Sequence, residues 1–353
     1  MSIKFDEIHT AKKQKLLSMM MLRAAEAVRG IENDNPVLDT CPICASGQVS
    51  LFVNAYGFDM SICADCGLIF CNPYPSETQL MRYYNSEMKA FENEFFRDSF
   101  EKRINIFLPR IALMQRLKKH GTLLDVGSAI GIFIEALVRQ KMNYEITCCD
   151  MSTEACAELR SRHSHINVLN MDVKEVTENK RYDIVTMWDT IEHIVHLDEL
   201  LVKLRKLLKK DSLLFLSTPN TNSFEWKIAG DKHVQILPPG HVNLMNEKCL
   251  GILLQKHGFV VTETHTFNPS LDISYVRKLV ETGSVDPCRI GAFLKEAILE
   301  EDFEEILSEY LTKKRQAGNI LVVAQMDTGG KSPSQKGHNS SRNRTRSSRQ
   351  SPS

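Results

Sequence analysis

Two pairs of cysteines and two runs of acids and histidines are the residues of this chain best equipped for chemistry. Cys41-Pro42-Ile43-Cys44 is separated by eighteen residues from Cys63-Ala64-Asp65-Cys66, and Gly67 follows the second pair. Two C-x2-C turns can offer four thiolates to one tetrahedral ion, and Zn2+ is the ion this donor set suits. Gly67 stands where a tight turn needs backbone freedom. A redox-active disulfide in either pair is the alternative, which the presence of two pairs at ribbon spacing argues against. Protein ligands fill all four positions, so the site reads as structural, with the metal stabilising a unit too small to own a core. Cys71 falls outside the pairs and reads as a packed thiol.

The acids sit at the ends of apolar runs. Leu123-Leu124-Asp125-Val126-Gly127 closes one run, and Gly131 opens a helical stretch. Gly127 allows a sharp turn and close approach of a ligand to the backbone, and Gly131 allows close packing at the helix start. A dinucleotide fingerprint of the G-x-G-x-x-G type does not fit, because Ala129 replaces its second glycine and Ile132 its third. The Ala129 methyl group is tolerable provided the backbone needs no positive φ there. Asp125, just before the turn, is placed for a cationic ligand. Asp150 ends the next run, with Met151 beside it, and can accept hydrogen bonds from both hydroxyls of a ribose. Asp172, followed by Val173, ends the third run, where it would meet an adenine amino group. The fourth run ends in Trp188-Asp189-Thr190-Ile191-Glu192-His193-Ile194. Trp188 and Asp189 are expected to line the pocket, although Trp188 also suits a core position.

His193 and His241 are the candidate general bases, since imidazole titrates near neutrality. His193 follows the fourth run at the mouth of the expected sheet. His241 follows Pro238-Pro239-Gly240 in a loop where an acceptor would lie. His233 is a third candidate, and Glu192 could orient a histidine or bind a cation. For each histidine the alternative is an imidazole that only caps or packs its loop.

These residues must be held by an α/β scaffold. Strands are expected at 122–126, 144–149, 166–169, 182–188, 213–218 and 259–266, with helices at 131–139, 153–161, 197–208 and 246–257 between them. Apolar strands alternating with helices predict a mostly parallel sheet covered on both faces. A last strand at 319–325 follows a helical insertion at 274–314 without a simple crossover, and is expected to pair antiparallel. Upstream, 1–36 carries an amphipathic helix with the stripe Leu16, Met19, Met20 and Ala24. The cysteine unit spans 37–75, and 76–119 is a helical connector whose first helix is capped by Ser76. Residues 328–353 are rich in Ser, Gly, Arg and Lys without an acid, the composition of a disordered basic tail.

The Asp125-Val126-Gly127-x-x-x-Gly131 turn, Asp150, Asp172 and the Trp188–Ile194 stretch resemble, in order, the motifs of class I S-adenosylmethionine-dependent methyltransferases. Ser217-Thr218-Pro219-Asn220 and Pro238-Pro239-Gly240-His241 are similar to the subgroup of ubiquinone-biosynthesis O-methyltransferases. Cys66-Gly-Leu-Ile-Phe-Cys-Asn-Pro73-Tyr-Pro75 resembles bacterial methyltransferases with a zinc-binding N-terminus. The resemblance spans about residues 40–326. It implies a Rossmann-like methyltransferase sheet beside a small zinc ribbon. It further implies S-adenosylmethionine as methyl donor, held by Asp125, Gly127, Gly131, Asp150, Met151, Asp172, Val173, Trp188 and Asp189. The implied acceptor is a small molecule, sugar, or glycan or lipid precursor methylated on oxygen. RNA methylation is the competing expectation, drawn from the basic tail and from zinc ribbons in such enzymes, and a non-catalytic binding protein of the same fold is the third. The formal net charge of zero argues against a general polyanion binder. No segment reads as a transmembrane helix or a signal peptide, so a cytoplasmic protein, monomeric or homodimeric, is expected.

Overall fold

A computed structural model of the chain describes residues 11–267, 269–283, 297 and 300–327. The start of the first expected helix, most of the stretch 284–299 within the helical insertion, and the basic tail at 328–353 lie outside the described residues.

The chain enters through α1 (Ala11–Arg29). Its buried face is Met21, Ala24, Ala25 and Val28; of the expected stripe Ala24 lies on this face and Met20 packs against its edge, while Leu16 and Met19 are exposed. Spacing at i, i+3, i+4 and i+7 fits either face. The face that wins packs on Tyr83 and Met88 of the next two helices. Three antiparallel strands follow, β1 (Val49–Ala55), β2 (Phe58–Cys63) and β3 (Ile69–Cys71). Helix α2 (Glu77–Tyr84) starts as expected at Ser76, whose side chain and Gln79 form a reciprocal capping box. The rest of the helical connector expected at 76–119 is two helices, α3 (Glu87–Asp98) and α4 (Phe100–Leu117). Ser99 interrupts them, its hydroxyl donating to the Phe95 carbonyl at 2.8 Å and its own φ and ψ lying at −107° and 10°. A short polar side chain that bonds backbone in this way competes with helix continuation.

The remaining elements alternate. They are β4 (His120–Val126), α5 (Ile132–Arg139), β5 (Asn143–Asp150), α6 (Thr153–Arg162), β6 (Asn167–Asn170), β7 (Tyr182–Trp188), α7 (Leu197–Leu207), β8 (Leu208–Pro219), α8 (Phe224–Ala229), β9 (Asn243–Leu244), α9 (Glu247–Lys256), β10 (Phe259–Phe267), α10 (Pro269–Glu281), α11 (Glu301–Lys314) and β11 (Asn319–Met326). Seven strands form the main sheet in the order β10–β11–β8–β7–β4–β5–β6. β4 to β8 are parallel, and β11 inserts antiparallel between β8 and β10. This is the mostly parallel, Rossmann-like sheet with an antiparallel last strand. The β4/β7 boundary is where strand order reverses, and ligands bind beyond the carboxyl ends of strands at such a boundary.

The strands read as unbroken apolar runs because both faces are covered. Leu123, Leu213 and Phe215 pack with Ile111 and Met114 of α4 and Ile134 and Leu137 of α5. Their neighbours Leu124, Leu214 and Leu216 turn to the opposite face, against Leu200 and Leu204 of α7 and Leu250 and Leu253 of α9. The second core is continuous with Met60, Leu68 and Phe70 of the cysteine unit. The small sheet is itself completed from the far part of the chain, because β9 pairs antiparallel with β3 to give the order β1–β2–β3–β9.

Candidate functional site

The four paired cysteines converge. Cys41 Sγ lies 3.5 Å from Cys66 Sγ, and Cys44 Sγ lies 3.6 Å from Cys63 Sγ. All four sulfurs fall within 4.8 Å of one another, and none is in a disulfide. A tetrahedral ion with Zn–S bonds of about 2.3 Å needs S···S edges of about 3.8 Å, so these residues fit Zn2+. Both turns are built alike. Ala45 N–H donates to Cys41 O at 2.9 Å and Gly67 N–H to Cys63 O at 2.8 Å, and Ala45 and Gly67 adopt φ of 58° and 78°. The hydrogen bond between Cys41 and Cys66 pulls the Cys41 thiol down despite its burial. Burial pushes the Cys149 and Cys249 thiols, outside the pairs, up to about 12, which leaves them as packing groups.

A second constellation lies at the carboxyl ends of the parallel strands. Asp125 ends β4 only 1% exposed. Its Oδ1 accepts from Thr186 Oγ1 at 2.6 Å. Burial pushes its carboxyl up to about 7, against the opposing pull of that hydrogen bond. Gly127 has φ of 76°, and a Cβ there would collide with the Thr190 side chain. Ala129 has φ of 44°, so the condition that would have made its methyl group harmless is not met. Its N–H points at Asp150 Oδ2 at 2.8 Å, while Ser152 N–H reaches Asp150 Oδ1 at 2.8 Å. Asp150 therefore ties the loop after β4 to the loop after β5. Left-handed geometry costs a non-glycine residue about 1–2 kcal/mol, and glycine returns about half of that as unfolded-state entropy. Ala129→Gly should stabilise the fold by up to about 1 kcal/mol, read as a higher urea midpoint with unchanged slope. A lower midpoint would show that the strain is absent.

Asp172 Oδ1 accepts from Lys174 N–H at 2.8 Å and caps the short turn Val173–Glu175, of which Val173 is buried. Met151 is 71% exposed. Trp188 is nearly buried, edge-on to Phe107 and Phe133 with centroids 5.9 and 5.1 Å away. Its indole N–H has no hydrogen-bond partner among the described residues. Asp189 Oδ1 accepts from Ser217 Oγ at 3.0 Å and Asn319 Nδ2 at 2.5 Å. Asp125, Gly127, Asp150, Met151, Asp172, Val173, Trp188 and Asp189 border one cleft of about 2250 Å3. Small-molecule pockets usually hold about 300–1,000 Å3, so the cleft has room for a cofactor and an acceptor together. Gly131 does not border it. Gly131 sits at φ of 80° behind the helix start, where a Cβ would strike Leu159.

The expected bases meet in the same cleft. His193 Nδ1 lies 2.7 Å from Gly240 O, and His241 Nδ1 lies 2.9 Å from Gln235 O. A carbonyl only accepts, so each Nδ1 carries the proton and each neutral ring presents a bare Nε2 lone pair. The rings are 4.8 Å apart at 75°. Burial holds both pKa values below the usual imidazole range. Glu192 is 1% exposed and accepts from Thr218 Oγ1 at 3.0 Å. One ligand atom from each of Glu192, His193 and His241 falls within 4.8 Å of the others, a set that could also hold a divalent cation. His233 borders the same cleft but is held against Trp226, with centroids 4.3 Å apart and Nε2 3.2 Å from Glu225 Oε1.

Sequence reasoning missed the wall opposite the strands. Tyr84, Lys89 and Glu92 from α2 and α3, and Arg103 and Arg110 from α4, border the cleft. Arg110 is 2% exposed, its Nη2 donating to Asn319 Oδ1 at 2.8 Å. The available signal was a pair of arginines seven residues apart on the face of α4 that also carries Ile104, Ile111 and Met114.

The chain matches the methyltransferase domain family over residues 96–264. It is 28% identical over 130 residues to the mitochondrial ubiquinone biosynthesis O-methyltransferase of Candida albicans, covering 34% of this chain and 39% of that protein. It is 26% identical over 190 residues to the ubiquinone biosynthesis O-methyltransferase of Rhodopseudomonas palustris strain TIE-1, covering 50% of this chain and 73% of that one. A S-adenosylmethionine-dependent methyltransferase structure from Archaeoglobus fulgidus superposes with a TM-score of 0.46 at 19% identity, covering 67% of this chain and 98% of the other. Among the described residues, no helix is long and apolar enough to cross a membrane.

Proposed function

The chain carries a class I S-adenosylmethionine-dependent methyltransferase domain, and from that premise we propose that it methylates an oxygen atom of a small organic acceptor, such as a sugar or a glycan or lipid precursor. The observation that carries this reading is the pair of bare Nε2 lone pairs of His193 and His241 in the cleft. S-adenosylmethionine supplies a sulfonium methyl group that transfers in line to a nucleophile. Asp125 faces the cationic end of the donor, Asp150 and Met151 its ribose, and Asp172 and Val173 its adenine. Gly127 leaves the space that the donor's approach requires, and Gly131 lets α5 close behind the loop. Trp188 and Asp189 close the floor. An acceptor hydroxyl must lose its proton as the bond to carbon forms, and a positioned imidazole contributes about 100-fold or more to such a step. The ubiquinone biosynthesis relatives methylate oxygen by name, which supports the acceptor class. In the same reading the unit at 37–75 holds structural Zn2+ through Cys41, Cys44, Cys63 and Cys66.

Incubation of the protein with methyl-labelled cofactor and panels of hydroxylated metabolites, sugars and RNA, read by mass spectrometry, tests the acceptor. Label in hydroxylated small molecules supports the reading, and label in RNA alone overturns it. His193→Ala should lower kcat about 100-fold or more while cofactor affinity stays within a fewfold, by calorimetry. The Glu192, His193 and His241 set favours a second arrangement, in which a divalent cation orients the acceptor oxygen. Loss of transfer on dialysis against chelator, with recovery on Mg2+ or Mn2+ while zinc content is constant, would favour the cation over a free base.

A further inference from the structure

The two histidine-bearing segments are joined to each other, and to the cysteine unit, through one buried side chain. Asn243 is fully buried in β9, two residues after His241. Its Nδ2 donates to Ile194 O at 2.8 Å, the carbonyl immediately after Glu192-His193. Its Oδ1 accepts from Tyr74 Oη at 2.6 Å. Tyr74 belongs to the cysteine unit, and its ring lies 5.9 Å from Phe70 of β3. Backbone bonds run the same way, with Cys71 N–H donating to Val242 O at 3.0 Å and Val242 N–H to Glu192 O at 2.8 Å. Asn246, at the start of α9, donates from Nδ2 to Cys66 O at 3.1 Å, on one of the four convergent cysteines.

A buried amide whose donor and acceptor ends are both used can hold one orientation only, because every rotation leaves a polar group unpaired. Asn243 therefore fixes the 191–194 turn against the 240–244 segment. Those are the segments whose separation sets the hydrogen bond from His193 to Gly240 and the 4.8 Å contact between the two rings. We infer that Asn243, locked by Tyr74, is a positioning residue for the His193–His241 pair, and that the folded cysteine unit is thereby a condition for the geometry of the transfer site. The inference rests on the reading of the two imidazoles as the working groups of the cleft, and its second half rests on metal loading of the four cysteines.

Long-range proton–nitrogen spectra of histidine in the full, cofactor-bound chain provide the test, with S-adenosylmethionine affinity as the check on folding. Tyr74→Phe removes one hydroxyl and keeps the ring. It should shift or broaden the imidazole signals of His193 and His241, leave in place those of His163, which follows α6 beside Glu135, and His257, which follows α9 beside Asp198, and keep cofactor affinity within about threefold. Stripping the metal from the parent chain should move the same two signals, with zinc content followed by atomic absorption. Unmoved His193 and His241 signals in Tyr74→Phe overturn the positioning role. Movement of all four signals with loss of cofactor binding also overturns it, since Tyr74 would then be structural throughout. Movement in the variant but not on stripping overturns only the dependence on the cysteine unit. A label-transfer screen that clears both histidines of any role would sink the functional reading while leaving the spectral result intact, so the two failures are separable.

Discussion

The proposed zinc site predicts that Cys63→Ser loses the metal and on the order of 5 kcal/mol of stability, the range reached when a structural metal site is lost. Cys63 ends β2 at 0% exposure, within the same core as Met60, Leu68 and Phe70. A serine hydroxyl is a poor ligand, and the three remaining thiols, buried at Cys41 and Cys66 and half-buried at Cys44, would be left crowded without an ion to bridge them. Damage should not stay local. The unit shares its sheet with β9 and its core with α7, α9 and the parallel strands, so its loss withdraws packing from the larger domain. Cys71→Ser supplies the comparison. Cys71 is equally buried but outside the pairs, and burial pushes its thiol up. It should lose only about 1–3 kcal/mol, the usual cost of a poorly paired buried hydroxyl, and keep its metal. Metal content and urea unfolding of both variants decide the matter. If Cys63→Ser keeps one zinc per chain and the parent midpoint, the four thiols are not a metal site.

The parallel sheet was legible because its strands are apolar on both faces and its breaks are marked by glycine and acids. β7 begins and ends at the residues expected, and β11 takes the antiparallel place that a chain returning without a crossover must take. The cysteine constellation was legible for a similar reason, since two C-x2-C turns leave few other geometries. What could not be read is relational. The face of α1 depends on what packs against it, and Met21, Ala24, Ala25 and Val28 make as good a helical stripe as the one expected. Nothing local in Asn243-Leu244 marks a strand, because a two-residue strand has no periodicity of its own and exists only through pairing with β3. Asp150 was expected to keep its oxygens for a ribose, yet each already accepts a backbone amide. A carboxylate oxygen has more than one lone pair, so each retains one that a ribose hydroxyl could use. His193 and His241 are candidates by residue type and by their places after the fourth apolar run and after Pro238-Pro239-Gly240. The carbonyls that fix their tautomers, Gly240 and Gln235, become visible only when the 235–241 loop is folded back over the 191–194 turn.

Asp125→Asn should make the ligand-free protein more stable and the donor complex weaker, in both cases by an amount that depends on pH. The carboxyl is buried and its folded-state pKa is about 7, raised by desolvation more than its hydrogen bonds lower it. An unfolded aspartate titrates near 3.9, so between about pH 4 and 7 the native state holds a proton that the unfolded state has released. Stability contributed by this group therefore falls as pH rises through that window, and it is lost in full above 7. The gap between variant and parent should widen by roughly 3 kcal/mol from pH 5 to pH 8, in favour of asparagine, which can still accept from Thr186. Urea unfolding of both chains at the two pH values reads it directly, and a gap that is constant or narrows removes the premise. The donor reverses the preference. Its sulfonium and ammonium charges favour the ionised carboxylate, and in a low-dielectric cleft the loss of one such charge pair weakens binding on the order of 100-fold. Parent affinity should therefore drop as pH falls below 7, with about one proton released on binding at pH 6, measured by calorimetry in buffers of different ionisation enthalpy. In Asp125→Asn both the proton release and the pH dependence between 5 and 8 should vanish. Proton release that persists in the variant would move the cation's partner elsewhere in the cleft and leave Asp125 as a buried strut between β4 and β7.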